Sequence, residues 1–135
     1  MKIFSGLLGG LIVSILFMIL VGISIGAGEE ASGPSSIAFF IAMAYSVFIA
    51  VRAESVAHAW KRLMIHASIF SFLLPISSMI FTAQVTTQAG GGAEVAGAVI
   101  GGGIVTMISG FLGFFLGIVF LIISFAIGKK TRSTI

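Results

Sequence analysis

The chain has 135 residues, of which 59% are hydrophobic and only 8% are charged. A water-soluble domain of this size carries about a quarter charged residues, so this composition excludes a soluble domain and indicates that lipid is the main solvent. The chain has no cysteine, which excludes disulfides and thiolate metal sites, and its net charge of +3 comes from basic residues beside apolar segments, not from an extended basic face that would bind nucleic acid.

Four apolar segments follow one another along the chain. Each is long enough, at 1.5 Å per residue, to cross a hydrocarbon core of about 30 Å with some tilt or local adjustment. We expect the first to be a retained span and not a cleaved signal peptide, because its apolar run of about 23 residues exceeds the length of a signal core. The chain therefore forms a single transmembrane domain over residues 1–135, with spans at 3–26, 35–51, 63–82 and 104–128.

The first connector, residues 28–34 (GEEASGP), holds two acidic residues and two turn-forming residues. Pro34 suits the first turn of the second helix, where a missing N–H costs no hydrogen bond.

The second connector, residues 52–62 (RAESVAHAWKR), is charged and contains neither glycine nor proline. Its apolar residues recur at helical spacing beside charged ones, which is typical of a short amphipathic helix at a membrane surface. Trp60 would then lie at the level of the lipid headgroups. Because no glycine, proline, asparagine or aspartate occurs from Ser35 to Leu74, a helix continuous with its neighbours stays open as the alternative.

The third connector, residues 84–103, is polar at first and then rich in glycine. We favour a helical hairpin that extends the third and fourth spans and turns at residues 90–92 (GGG). The alternative is that residues 95–100 dip back into the membrane.

The charged residues predict the orientation of the spans. With four spans, all seven Lys and Arg residues fall on one side of the membrane, whereas Glu29, Glu30 and Glu94 fall on the other. A three-span arrangement would break this partition. The positive-inside rule therefore predicts that both termini are cytoplasmic, and we expect a bacterial cytoplasmic (inner) membrane. The basic residues are Lys2, Arg52, Lys61, Arg62, Lys129, Lys130 and Arg132.

Each span carries one face of small or hydroxyl-bearing residues. Such a face lets another helix backbone approach closely, which matters in lipid because no hydrophobic drive brings helices together there. The pattern predicts an all-α, tight four-helix bundle with bulky side chains towards lipid and hydroxyl groups joining the helices. The predicted packing residues of the first and fourth spans are Gly6, Gly10, Gly22, Gly26, Gly103, Thr106, Gly110, Gly113 and Gly117; those of the second and third are Ala38, Ala42, Ser46, Ala50, Ser68, Ser71, Pro75, Ser78 and Thr82.

Two details refine this pattern. Gly101 and Gly102 fall outside the stripe of the fourth span and mark where that span begins. Pro75 removes a backbone hydrogen bond and predicts a kink, where the Ser71 hydroxyl can bond to the freed carbonyl.

Four polar residues stand four apart in sequence: Glu54, His58, Arg62 and His66. On one helix, neighbours in this row touch, which predicts a headgroup, phosphate or metal site at the cytoplasmic surface. The alternative is an interfacial row of local pairs, with His66 bonded to a neighbouring helix. The row drifts by about 40° per step, so all four residues cannot converge on one ligand.

No ionisable residue lies at mid-membrane depth, which excludes proton relays and ion-coupled carriers that need a buried carboxylate. We predict no catalytic residue, cofactor or bound metal. The sequence favours a non-enzymatic membrane protein that packs through its small-residue faces, as a homo-oligomer or as an accessory subunit of a larger membrane complex. Its predicted partners are membrane lipids and either itself or another integral membrane protein, with no nucleic acid.

Two other functions stay open. The first is a small oligomeric pore, channel or transporter lined by the Gly/Thr/Ser face of the fourth span. The second is a lipid-binding or lipid-modifying protein that uses His58, Arg62 and His66.

Overall fold

The computed structural model describes residues 2–25 and 29–132, and the side chains of all of these except 29–31 and 130–132. This part of the chain is all-helical. It contains α1 (Lys2–Ile25), α2 (Glu29–Arg52), α3 (Val56–Gln88) and α4 (Ala93–Arg132). All four helices are long and apolar enough to cross a membrane, which agrees with the four predicted segments.

The helices form an open bundle with α3 near its middle. α1 packs against both α2 and α3, and α4 packs against α3. Among the described residues, no Cα atom of α4 lies within 8 Å of one in α1 or α2. Consequently 44% of the most apolar stretch of α3 is buried, whereas only 17% of the most apolar stretch of α4 is buried. The predicted helical bundle is confirmed, with α4 at its edge.

Small residues lie inside the bundle and bulky ones lie outside, as predicted. The small face of α2 is buried at Ala38, Ala42, Ser46 and Ala50. A compact apolar cluster joins α1 to α3, and its buried members are Val13, Leu16, Leu63, Ala67 and Leu74. The phenylalanines of α4 that the pattern places away from the packing face, at positions 111, 114 and 115, are all exposed.

A short turn at residues 53–55 separates α2 from α3. Ser55 is the N-cap of α3, because its side chain accepts a hydrogen bond of 3.1 Å from the backbone N–H of His58. The Lys2 ammonium of α1 donates to the carbonyl of Ala53 at 2.8 Å, which satisfies a backbone acceptor just after α2. The N-cap serine and the lysine from α1 thus stabilise the break between α2 and α3, although the turn contains no glycine or proline.

The segment predicted as a separate amphipathic helix is not a separate element. Residues 56–62 are about the first two turns of α3, continuous with the third span. Trp60 in this segment donates its indole N–H to the Ser5 hydroxyl at 2.9 Å, which joins α3 to α1. Because these turns pack on α1, they do not lie along the bundle surface as an independent helix would.

The prediction for Pro34 is wrong. α2 begins at Glu29, so Pro34 lies inside the helix, beyond the first turn. Its missing N–H therefore removes one backbone hydrogen bond from the helix.

The third connector is the favoured helical hairpin. α3 extends to Gln88 and α4 starts at Ala93, so residues 95–100 belong to a continuous helix. Gly91 and Gly92 have φ angles of +125° and +55°, a region that side-chain-bearing residues rarely adopt. The backbone of the turn therefore requires glycine at positions 91 and 92.

We predict that Ser55→Ala lowers the free energy of unfolding by about 1 kcal/mol, because the start of α3 loses its side-chain acceptor. Ser55→Asp is the control, since Asp also caps helix N-termini. Unfolding in mild detergent, followed by far-UV circular dichroism, measures both. Equal loss of stability in the two variants would show that capping is not the role of Ser55.

Candidate functional site

The main packing site is the contact between α3 and α4, here called the α3–α4 seam. Glycines of α4 lie directly against α3 at three places. A Cβ atom added to Gly113 would lie 2.5 Å from the backbone oxygen of Ser71, and one added to Gly117 would lie 2.8 Å from the ring of Phe72. At Gly102 it would lie 2.5 Å from a methyl carbon of Thr82. A larger residue at Gly113 would collide with the backbone of α3, and one at Gly117 or Gly102 would require the Phe72 or Thr82 side chain to move.

The contact at Gly113 coincides with the proline of α3. Pro75 has no N–H, so the carbonyl of Ser71, four residues earlier, loses its helical partner. The hydrogen that Gly113 carries in place of a Cβ points at this oxygen, a geometry in which Cα–H donates a weak hydrogen bond. The expectation that the Ser71 hydroxyl would bond to this carbonyl is wrong, because that hydroxyl is buried without a hydrogen-bond partner.

Hydroxyl groups cross the seam to backbone carbonyls of the other helix. Ser68 Oγ donates to the carbonyl of Gly117 at 2.8 Å. Ser124 Oγ donates to the carbonyl of Lys61 at 3.2 Å, near the opposite end of the pair from the glycine turn. Side chains this short reach a backbone across the interface only when the two helices are close. The prediction that serine joins the helices is confirmed at these two positions.

Near the glycine turn, Thr82 makes the corresponding contacts. Its Oγ1 lies 3.0 Å from the carbonyl oxygen of Gly102 and 3.0 Å from the hydroxyl of Thr106. Four of the α3 positions on the seam, 61, 68, 75 and 82, recur every seven residues. This repeat is typical of long helices that stay in contact over several turns.

The predicted stripe of α4 faces α3 at only some of its positions. Thr106, Gly113 and Gly117 face α3, but nothing lies within 4 Å of a Cβ added to Gly103 or Gly110. Gly102, predicted to lie outside the stripe, is buried against Thr82 instead of Gly103. Glycine occupies three consecutive positions here. A stripe drawn in alternating steps of three and four residues can therefore begin at Gly102 or at Gly103, and only the contact with α3 decides between them.

The glycines of α1 are used inside the chain. A Cβ on Gly6 would lie 2.7 Å from Ala50 Cβ, and one on Gly10 would lie 2.8 Å from Ser46 Cβ, so both contact α2. Gly22 also faces α2, with Ser35 Oγ 3.2 Å from its added Cβ, whereas Gly26 lies outside the described residues.

The stripe analysis missed Gly9, which contacts α3. A Cβ there would lie 2.7 Å from Leu63 Cδ1. The adjacent glycines at 9 and 10 are the available sequence signal, because neighbouring positions on a helix face different directions. α1 therefore packs through two faces, one against α2 and one against α3.

The predicted polar row is divided by the turn between α2 and α3. Glu54 lies in this turn and is exposed, whereas His58, Arg62 and His66 lie on α3. His66 donates its Nδ1 proton to the carbonyl of Arg62 at 2.7 Å, since a carbonyl can only accept. Its ring also meets the edge of Tyr45 of α2, with centroids 5.8 Å apart. His66 thus bonds to its own helix, not to a neighbouring one.

The row does not form a shared ligand site. The start of α3 falls after Glu54, so the helical spacing on which the row depends begins only at His58. Within the part of the chain that the structure describes, no group of three or more His, Cys, Asp or Glu residues is arranged to hold a metal ion.

The four helix termini that carry basic residues lie together, and we call this region the basic end. The Lys2 bond to Ala53 brings the start of α1 to the end of α2, and the Ser124 bond to Lys61 brings the end of α4 to the start of α3. The guanidinium of Arg52 lies 4.4 Å from the centroid of the Phe48 ring. The basic residues with described side chains at this end are Lys2, Arg52, Lys61, Arg62 and Lys129.

A cleft of about 370 Å³ opens between α3 and α4 at the basic end. The described residues that line it are Lys61, Phe125, Gly128 and Lys129. The Lys61 ammonium lies 3.2 Å from where a Cβ of Gly128 would be, so the glycine leaves room for the lysine side chain. Sequence reasoning missed this cleft because its walls come from segments far apart in the chain.

We predict that Gly113→Val lowers the free energy of unfolding by about 2 kcal/mol, because its side chain must displace the backbone of α3. Gly110→Val is the matched control, since it puts the same residue on the same helix with nothing within 4 Å of the new Cβ. Denaturation in mild detergent, followed by far-UV circular dichroism, compares the two. If both variants lose the same stability, close packing at Gly113 is not what holds α4 to α3.

No protein-family model matches the chain, and neither a curated protein nor a solved structure is significantly similar to it.

Proposed function

We propose that this chain is a non-enzymatic integral membrane protein that works through helix packing, as a homo-oligomer or as an accessory subunit of a larger membrane complex. The observation that carries the proposal is the position of α4. This helix, with a candidate span of 37 residues, packs along one face against α3, and none of its described Cα atoms lies within 8 Å of one in α1 or α2. Most of its bulky apolar side chains are exposed and so are available to contact lipid or another helix.

The outer surface of α4 combines bulky apolar residues with small ones. Met107 and Phe111 are 78% and 72% exposed, as suits a surface in lipid. Gly97 and Gly101 stand four apart on the side of the helix away from the seam, and nothing lies within 4 Å of a Cβ added to either. Glycines at this spacing let a second backbone approach closely. We infer that α4 is the helix that meets a partner chain.

The glycine face of α1, which the sequence also offers for a partner, is a weaker candidate. Gly6 and Gly10 already contact α2, and Gly9 contacts α3. A partner at this face would have to replace contacts that the chain makes with itself, whereas a partner at α4 would not.

A pore lined by the Gly/Thr/Ser face of α4 has less support than the packing function. Thr106, Gly113 and Gly117 of this face are turned towards α3. Water or ions would reach them only if α4 separated from α3, which would break the hydroxyl bonds across the seam.

We propose that the chain crosses a bacterial cytoplasmic membrane four times, with both termini in the cytoplasm. The support is the clustering of the described basic residues at the basic end, which the positive-inside rule places in the cytoplasm. Membrane lipids are then obligatory partners of the exposed apolar surface.

We predict that the purified full chain has a mass above the 14.0 kDa of one copy, either as a multiple of it or with a co-purifying membrane protein. Light scattering or native mass spectrometry in mild detergent measures this mass. Gly101→Leu should reduce it, because a side chain there blocks close approach. Gly33→Leu is the control, since it too has open space but lies on α2. A strict monomer without a partner would contradict the proposal.

We predict that positions 88 and 131 lie on opposite sides of the membrane. The chain has no cysteine, so single cysteines can be introduced without removing any. In sealed right-side-out vesicles, a membrane-impermeant maleimide should label Gln88→Cys readily but Thr131→Cys only after the vesicles are opened. Labelling of both positions before opening would refute the four-span topology, and the reverse pattern would refute the orientation.

A further inference from the structure

The cleft at the basic end has features that neither helix packing nor the polar row on α3 uses. It holds two lysines, Lys61 from α3 and Lys129 from α4, at its rim. Within the described part of the chain, neither ammonium has an acidic partner, whereas the Lys2 ammonium bonds to a carbonyl and the Arg52 guanidinium lies over a phenylalanine ring. The cleft therefore presents two positive charges that the described protein does not neutralise.

The remaining wall of the cleft is apolar. Phe125 lies one helical turn from Lys129 and is 68% exposed. Gly128 adds no side chain, so the space between the two helices stays open. An exposed aromatic ring that lines the same cleft as two lysines matches an amphipathic anion, whose charge would meet the lysines and whose tail would lie on the ring.

The position of the cleft is held by the α3–α4 seam. The Ser124 hydroxyl bonds to the carbonyl of Lys61, so the backbone of one wall is fixed to the other helix. Lys129 follows five residues after Ser124 on the same helix. The two lysines are thus brought together by the packing of α4 on α3.

We propose that this cleft binds the phosphate group of an anionic phospholipid, with Lys61 and Lys129 as its cationic ligands and Phe125 as the contact for the proximal acyl chain. The proposal rests on membrane insertion with the basic end at the headgroup level, but not on the oligomeric state. It differs from a lipid site built on His58, Arg62 and His66 of α3, because two of its contact residues, Phe125 and Lys129, lie on α4.

The test compares binding of dioleoylphosphatidylglycerol and zwitterionic dioleoylphosphatidylcholine to the full chain in detergent by native mass spectrometry. Lys61→Gln and Lys129→Gln should each weaken phosphatidylglycerol binding about five-fold and leave phosphatidylcholine binding unchanged. Gly128→Leu keeps every charge but fills the cleft, and it should weaken phosphatidylglycerol binding as well. The three atoms nearest to the new Cβ all belong to the flexible end of the Lys61 side chain, which can move aside.

Arg52→Gln is the matched control, because it removes one charge from the same end of the molecule but lies on α2, which does not contact α4. An equal loss of binding in Arg52→Gln would overturn the proposal in favour of general attraction by the basic end. Unchanged binding in Gly128→Leu would also overturn it, even if a lysine variant failed to fold.

A second arm distinguishes the lipid from a free anion. Inorganic phosphate at the same concentration should neither bind detectably nor displace phosphatidylglycerol, since it makes no contact with Phe125. Displacement of phosphatidylglycerol by inorganic phosphate would overturn the lipid proposal and indicate that the cleft binds a soluble phosphate ligand. A monomeric mass would contradict the packing function, but the lipid-binding results could still be interpreted. Each of the two proposals can therefore be refuted independently of the other.

Discussion

The structure depends on the close approach of α4 to α3 at Gly113. Three features meet there: a proline that frees a carbonyl, a glycine that lets α4 reach it, and the absence of any side chain between the two backbones. Lipid supplies no hydrophobic drive for helix association, so close contact and hydrogen bonds must hold the helices together. Hydroxyl bonds between helices in membranes contribute on average only about 0.6 kcal/mol each. The bonds of Ser68, Ser124 and Thr82 therefore supplement the packing that the glycines permit.

The same constraint explains why the bundle is open. α3 uses Ser68 and Pro75 towards α4 and Leu63 and Ala67 towards α1, so it occupies the middle. α1 in turn uses Gly9 towards α3 and Gly6 and Gly10 towards α2. Each of these close contacts covers one face of small residues. In the described chain no Cα atom of α1 or α2 lies within 8 Å of one in α4, and most of the bulky apolar residues of α4 stay exposed.

Packing also builds the basic end. The lysines of the cleft belong to two helices that pack against each other, so the α3–α4 seam places both of them in its lining. The interhelical bond of Lys2 and the N-cap of Ser55 place the α2–α3 turn at the same end. The basic end and the cleft that we assign to an anionic lipid are therefore consequences of one arrangement.

The sequence by itself determined the class of the protein, the number of helices, the small inward faces and the gathering of basic residues, because hydropathy and helical period depend only on neighbouring residues. It also predicted the GGG turn. Only the tertiary structure decided which helix covers each face, since periodicity gives a direction about a helix's own axis and says nothing of its partner. That is why Gly102 and not Gly103 lies in the seam, and why Glu54 lies in the turn before the helix that carries the rest of the polar row. It is also why Lys61 and Lys129 line the same cleft.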